Sequence, residues 1–187
     1  MKGTEMEYFT ALYEVAKVIN ASLDPERVLQ EIARCIVEAM HVKACSLRLL
    51  DSRERQLVLG ASYGLSDQYL RKGPILVEES GVDQKALQGE TIYLHDVTTD
   101  HDFQYGAVAA EEGIKSILVV PLTLEQKVIG VLRVYSESTR DFTQQEVKFL
   151  QAVANLSAIA LDKARMHQTL QTQCDLMKAH KYRIDDN

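Results

Sequence analysis

Two neighbouring segments, Ser116–Leu124 and 128–136, are β-branched or aliphatic at nearly every position, and only Glu125-Gln126-Lys127 separates them. Successive side chains of a strand point to opposite faces, so a strand with one wet face alternates apolar with polar residues. Strands that do not alternate belong to a sheet covered by protein on both sides. The short connection makes this pair an antiparallel hairpin. The chain must therefore supply outer layers for its sheet, and the expected class is α+β.

Helices are available before the hairpin. Tyr8, Leu12, Val15 and Ile19 recur at steps of four, three and four, which is one face of an amphipathic helix. Asp24-Pro25-Glu26 starts a second helix. Asp24 serves as N-cap, Pro25 sits where a missing N–H costs nothing, and Glu26 lies in the first turn. The buried stripe of this helix is Val28, Leu29, Ile32, Ile36 and Met40. Ala44–Leu50 and 56–62 then have strand character around the charged turn 51–55. Ser80-Gly81-Val82-Asp83 resembles a capping box with Asp replacing the usual Glu or Gln, and it opens a short helix ending near Gly89. A brief strand over 91–94, a polar loop over 95–102 and a helix over 105–112, stopped by Gly113, lead into the hairpin.

Thr143-Gln144-Gln145-Glu146 is a full capping box, and no Gly or Pro follows it as far as Asn187. One helix of roughly 40 residues is about 60 Å long. A domain of about 150 residues has a radius of gyration of only about 15 Å. The helix must overhang its domain, so the expected division is a domain over 1–165 and a coiled-coil-like helical extension over 166–187. Phe149, Val153, Leu156, Ala160, Lys163, His167, Leu170, Cys174 and Met177 keep heptad steps of four and three. Leu150, Ala154, Ser157, Leu161 and Ala164 form a second stripe suited to packing on the domain itself. A soluble chain normally covers an apolar stripe. The expectation is a parallel homodimer through both terminal helices, with Tyr8, Leu12, Val15, Ile19, Phe149, Val153, Leu156, Leu170 and Met177 at the interface.

Composition narrows the function. With 46% apolar and 26% charged residues the chain is neither disordered nor fibrous. Its 21 basic and 27 acidic residues give a net charge of −6 with no basic run, so nucleic acid is not an expected direct partner. The longest stretch without a polar residue, 117–122, falls far short of the ~20 residues of a membrane span. Residues 1–7 carry neither the basic nor the apolar region of a secretory signal. Cys35, Cys45 and Cys174 are too dispersed for a disulfide framework. The expected location is cytoplasmic, away from membranes.

The hairpin strands Ser116-Ile117-Leu118-Val119-Val120-Pro121-Leu122 and Val128-Ile129-Gly130-Val131-Leu132-Arg133-Val134, with Phe142-Thr143 leading into the last helix, resemble those of GAF domains, the small-molecule sensory modules of signalling proteins. Gly89-Glu90-Thr91-Ile92-Tyr93-Leu94-His95-Asp96-Val97 and the Asp24-Pro25 helix start are similar to the family as well, and the likeness runs over about residues 8–165. It implies a central antiparallel sheet with the terminal helices on one face and a ligand pocket on the other. The ligand would lie between the sheet and the segments crossing its open face, here 81–88 and 101–112. On that basis Phe103, Tyr105 and Val108 form an apolar wall, with Leu118 or its strand neighbours beneath. Asp96, His101 and Ser116 orient polar groups. The resemblance names no ligand or cofactor, since one fold hosts many functions.

Particular GAF chemistries leave other marks. Members that hold bilins covalently use a pocket cysteine, and none stands between Cys45 and Cys174. The family's cyclic-nucleotide pattern keeps only Phe142 and Glu146 here, and Glu146 is already explained as the capping acid. His95, Asp96, Asp100, His101 and Asp102 have a metal- or haem-like composition, yet Asp and Thr are also the residues that turn loops and cap helices. No Gly-rich phosphate loop, G-x-S-x-G elbow or H-E-x-x-H is present. The expectation is a non-enzymatic sensor that binds a small molecule and passes the signal through its terminal helices to a downstream protein or effector domain. The alternatives are a reductase of methionine sulfoxide, which would need its cysteines, and a purely structural dimerisation module with a vestigial pocket.

Overall fold

In the computed structural model, residues 2–97, 99 and 105–185 are described, with side-chain surroundings given for 6–97, 99 and 105–177. Helices α1 (Lys2–Ala21) and α2 (Pro25–Met40) lead into strands β1 (Ala44–Leu50) and β2 (Gln56–Tyr63). A helical turn α3 (Asp67–Leu70), a two-residue strand β3 (Ile75–Leu76), α4 (Gly81–Leu87), β4 (Ile92–Leu94) and α5 (Gly106–Glu111) follow. The chain closes with the hairpin β5 (Ser116–Leu124) and β6 (Lys127–Ser136) and the long α6 (Gln144–Asp185). The six strands form one antiparallel sheet in the order β3-β2-β1-β6-β5-β4. No helix among the described residues is long and apolar enough to cross a membrane.

Local chemistry starts the helices as the residues dictate. Asp24 accepts hydrogen bonds from the backbone N–H of Glu26 and Arg27. Thr143 and Glu146 cap reciprocally: the Thr143 N–H donates to Glu146 Oε2 at 2.7 Å and the Glu146 N–H to Thr143 Oγ1 at 3.3 Å. Arg140 adds an ion pair to the same carboxylate. Between β2 and α4 the chain forms α3 and β3, which are too short for a periodicity to show in the sequence.

The two-sided strands separate two cores. Cys45 and Leu47 of β1, Leu118, Val120 and Leu122 of β5, and Leu132 and Val134 of β6 pack under α1, α2 and α6. Ala44, Ile117, Val119, Val131 and Tyr135 face the other way, toward α3, α4 and α5. Each fully buried aliphatic side chain stabilises by about 1.5–3 kcal/mol relative to exposure. The helix side is sealed by Tyr8 stacking on Phe149 with ring centroids 4.7 Å apart.

Candidate functional site

The face of the sheet away from the terminal helices is mostly apolar, but two arginines rise from its central strands. Arg48 of β1 stands between Leu47 and Leu49, and Arg133 of β6 between Leu132 and Val134. Each is only 1% exposed. In the antiparallel register Arg133 lies opposite Ser46, and Arg48 opposite Val131. The two guanidinium stems are therefore diagonal neighbours on one face, a spacing that long side chains bridge. Opposite Arg48, the β1–β2 register shifts between Leu47 and Arg48, with Gly60 as the extra residue, a bulge of the kind that re-aims a side chain. On the other side, a Cβ at Gly130 would strike the Arg48 carbonyl oxygen, so only glycine lets β6 approach β1 this closely.

The cover supplies the partners. Ser80 caps α4: its Oγ accepts from the Asp83 N–H at 3.4 Å and donates to Asp83 Oδ2 at 2.6 Å. The Asp83 carboxylate is fully buried and pairs through Oδ1 with Arg133 Nη2. This explains the Asp in the capping box, since the side chain ties α4 to β6 as well as to its own cap. Arg48 Nη1 reaches the carbonyl oxygens of Leu57 at 3.3 Å and Gly73 at 3.5 Å. Its Nε, the hydroxyl of Tyr69 and the Lys72 ammonium are buried without a hydrogen-bond partner among the described residues. Lys72 Nζ lies 3.6 Å from the Tyr69 ring centroid and 4.5 Å from that of Tyr105. Tyr69 meets Tyr135 edge-on, and the Tyr135 hydroxyl shares a 2.8 Å hydrogen bond with Ser46 Oγ.

Burial and like charge shape the electrostatics. Desolvation, followed by the charges of Arg133 and Arg48, pulls the Lys72 ammonium down to about 6. Burial lowers Arg48 too, with Arg133 adding to the effect. For Arg133 burial opposes the charge, but the Asp83 carboxylate outweighs it and the net shift is upward. Burial raises the Tyr69 phenol. Three basic side chains thus stand together with the buried Asp83 carboxylate, and the half-buried Glu112 acts on Lys72 from the edge of the cluster.

Of the residues expected in the pocket, Tyr105 and Val108 are partly buried against this second core. The Tyr105 hydroxyl donates to the Pro74 carbonyl at 3.3 Å. Leu118 is a correction: its side chain belongs to the core under the helices, and strand alternation gives the face toward α3, α4 and α5 to Ile117 and Val119. Ser116 is fully buried at the end of β5, where its Oγ accepts from the Arg140 N–H at 2.8 Å and lies 2.7 Å from the His95 carbonyl oxygen. Asp96 is half-buried in the loop after β4. His101 and Phe103 lie outside the described residues, as do Asp100 and Asp102 of the polar loop. His95 meets Asp141 at 2.9 Å on the surface, and no group of three or more potential metal ligands converges among the described residues. Sequence reasoning passed over Arg48, Lys72, Arg133, Tyr69 and Tyr135. The available signal was a single arginine inside each of two apolar strands.

Among the residues expected at a dimer interface, Tyr8, Val15, Ile19, Phe149 and Val153 are buried in this chain's own core. Leu12 and Leu156 are half-buried against it. Leu170 and Met177 are exposed, as are Met6, Phe9 and Tyr13 of α1 and Ile159 and Met166 of α6. Lys163 donates to the Ile19 carbonyl at 3.3 Å, closing the C-terminal end of α1 onto α6.

The GAF domain profile matches residues 22–162, most of the chain and all of the sheet. The chain belongs to the GAF domain family. A Nif-specific regulatory protein of Herbaspirillum seropedicae is 27% identical over 200 residues, covering 99% of this chain and 36% of that protein. The chain thus spans about a third of the length of that relative. Among solved structures, the GAF domain of an Acinetobacter phosphoenolpyruvate-protein phosphotransferase is 27% identical, with a TM-score of 0.73 over 84% of this chain and 94% of that one. The free methionine-R-sulfoxide reductase of Neisseria meningitidis, 23% identical, shares the fold with a TM-score of 0.72 over 86% of this chain and 91% of that one. The curated relatives are regulators, among them transcriptional activators and a histidine kinase. In this GAF domain Cys35 and Cys45 are buried, and burial raises both thiols, which disfavours the thiolate that disulfide exchange requires.

Proposed function

We propose that this GAF domain is the sensory part of a regulator: a small molecule binds between the sheet and the α3–α5 cover, and terminal helices α1 and α6 carry the response in a homodimer. The observation that supports the reading is the buried cluster of Arg48, Arg133, Asp83 and Lys72 on the face opposite those helices. A face with only a packing role is more stable with apolar residues there, because taking charges out of water costs more than most ion pairs return. The domain ends near residue 165, and the remainder of α6 is the extension through which two copies meet.

The exposed residues of α6 support this assembly. Ile159, Met166, Leu170 and Met177 follow steps of seven, four and seven, one seam of a two-stranded coil. Phe9 and Tyr13 on α1 add to the uncovered apolar surface. A second copy of this chain is the occupant, since a helix of 42 residues, about 63 Å, runs far past its own domain. A downstream signalling protein or effector domain would receive the movement of α6.

Substituting Val108→Trp tests the pocket. The indole adds bulk beside Tyr105 and should abolish the thermal shift given by any compound that stabilises the wild type. Unchanged binding by a folded variant places the ligand elsewhere. Replacing all three cysteines with serine should leave function intact; loss of a methionine-sulfoxide reductase turnover on that replacement would establish the enzymatic alternative.

A further inference from the structure

The sensory reading leaves the ligand's chemistry open, and the buried charges bear on it. Arg48 reaches the Gly73 carbonyl next to Lys72, and the Lys72 ammonium lies over Tyr69, whose ring meets Tyr135 two residues from Arg133, so the three basic side chains gather beneath the cover. Asp83 is the fully buried carboxylate among them, and the half-buried Glu112 also acts on Lys72. Asp83 is committed: one oxygen takes Arg133 and the other takes the Ser80 hydroxyl. Arg48 is 1% exposed and has only carbonyl oxygens for partners at Nη1, at 3.3 and 3.5 Å, while its Nε donates to nothing described. Neutral carbonyls do not balance a buried guanidinium, whose planar fork is matched by an oxyanion. Lys72 is held near the same place on a turn closed by Gly73, with its ammonium over two tyrosine rings and no hydrogen-bond acceptor among the described residues. A buried guanidinium left with neutral acceptors among the described residues, beside an amine whose charged form burial opposes, is a place where a bound anion would be favoured.

Resting on the sensory reading above, we infer that the ligand is a small organic anion whose carboxylate or phosphate group is held by Arg48 and Lys72 beside the Arg133–Asp83 pair. Its apolar body lies against Tyr69, Tyr135, Val131 and the neighbouring aliphatic wall. Arg48 is the specificity residue, because its fork supplies directional donors, whereas Lys72 supplies a point charge on a flexible stem. Arg133 keeps Asp83 and sets the field.

The test uses the full 187-residue chain and titrates succinate, benzoate and inorganic phosphate at matched ionic strength, with sodium chloride and the neutral succinamide as controls. Calorimetry and thermal melts are the readouts. At least one oxyanion should bind and raise Tm by a few degrees, and the two controls should not. Arg48→Met should weaken that binding at least about tenfold, the loss expected for a charge-assisted hydrogen bond. Melting of the ligand-free variant should be unchanged or higher, since a buried charge has gone. Arg48→Lys should retain partial binding. The variant Arg34→Met, on the outer face of α2, should bind as wild type does. Which of the three anions responds distinguishes carboxylate from phosphate. Binding that Arg48→Met leaves unaltered, or no response to any oxyanion, overturns the inference. A neutral ligand blocked by Val108→Trp overturns it while keeping the sensory reading, and that reading itself fails if no compound of either charge depends on the pocket.

Discussion

Asp83→Asn isolates the charge that holds the cover to the sheet. The asparagine is the same size and keeps an oxygen for Arg133, and Ser80 Oγ can rotate to accept from the new amide. What disappears is the negative charge facing a guanidinium that is 1% exposed. Breaking one half of a buried pair costs about 3–5 kcal/mol. The retained hydrogen bonds return part of this, about 1 kcal/mol, leaving a loss of roughly 3 kcal/mol. For a chain of this size that corresponds to a fall in Tm of roughly 6–12 °C. Urea titration followed by circular dichroism measures it directly, and Arg133→Met in the Asp83→Asn background should restore most of the loss, since both charges are then absent. A loss under about 1 kcal/mol, or a double variant no more stable than the single one, would refute the argument that Asp83 is what makes a buried Arg133 tolerable.

Gly130→Ala should destabilise by roughly 2–3 kcal/mol, because the new Cβ meets the Arg48 carbonyl oxygen rather than a yielding side chain; urea midpoints check this. Lys72 titrates near 6 in the folded chain against an ordinary value of 10.5, so between those values the unfolded chain holds more protons and stability rises with pH. Lys72→Met should flatten the rise in urea midpoint between pH 6 and pH 9. Leu170→Glu with Met177→Glu should weaken self-association at least tenfold in sedimentation velocity while leaving the melt of the domain unchanged, and a wild type that is monomeric at ~50 µM would sink the dimer.

How much was legible in the sequence varied with the kind of signal. Helix entries were readable because Asp24, Ser80, Thr143 and Glu146 act on backbone groups two or three residues away. The two covered faces of the sheet were readable from apolar composition alone. The assignment of residues to those faces was not: Leu118 and its neighbours are all aliphatic, and only the register with β6 and β4 distinguishes them. The heptad seam of α6 had the same difficulty. Phe149 and Val153 fit a seam between chains as well as they fit a groove within one, and α1 of the same chain fills that groove. The charged cluster was hidden for a different reason. Arg48 and Arg133 are 85 positions apart in sequence, Asp83 reads as a capping residue, and Lys72 lies in a loop, so nothing local announces that they share one buried volume.

In the proposed sensor, β6 is where the two faces of the sheet meet in one strand. Val131, Arg133 and Tyr135 line the cover side, while Leu132 and Val134 between them pack in the core under the helices. A ligand that draws Arg48 and Lys72 inward acts on that strand and on its partner β1 together. Beyond Ser136 the chain reaches the α6 cap through a short strap. Ser116 Oγ takes the Arg140 N–H at 2.8 Å, and Ser136 Oγ lies 3.0 Å from the Ser138 carbonyl oxygen. Arg140 then pairs with Glu146, the acid of the capping box. In the proposed sensor these bonds are the route by which a change at the end of β6 would reach the first turn of α6. Such coupling works only if the ligand binds one arrangement of cover and strand more tightly than the other. The electrostatics supply that difference: without an anion, burial and the neighbouring arginines favour the neutral form of Lys72, and a bound anion favours its charged form beside Arg48.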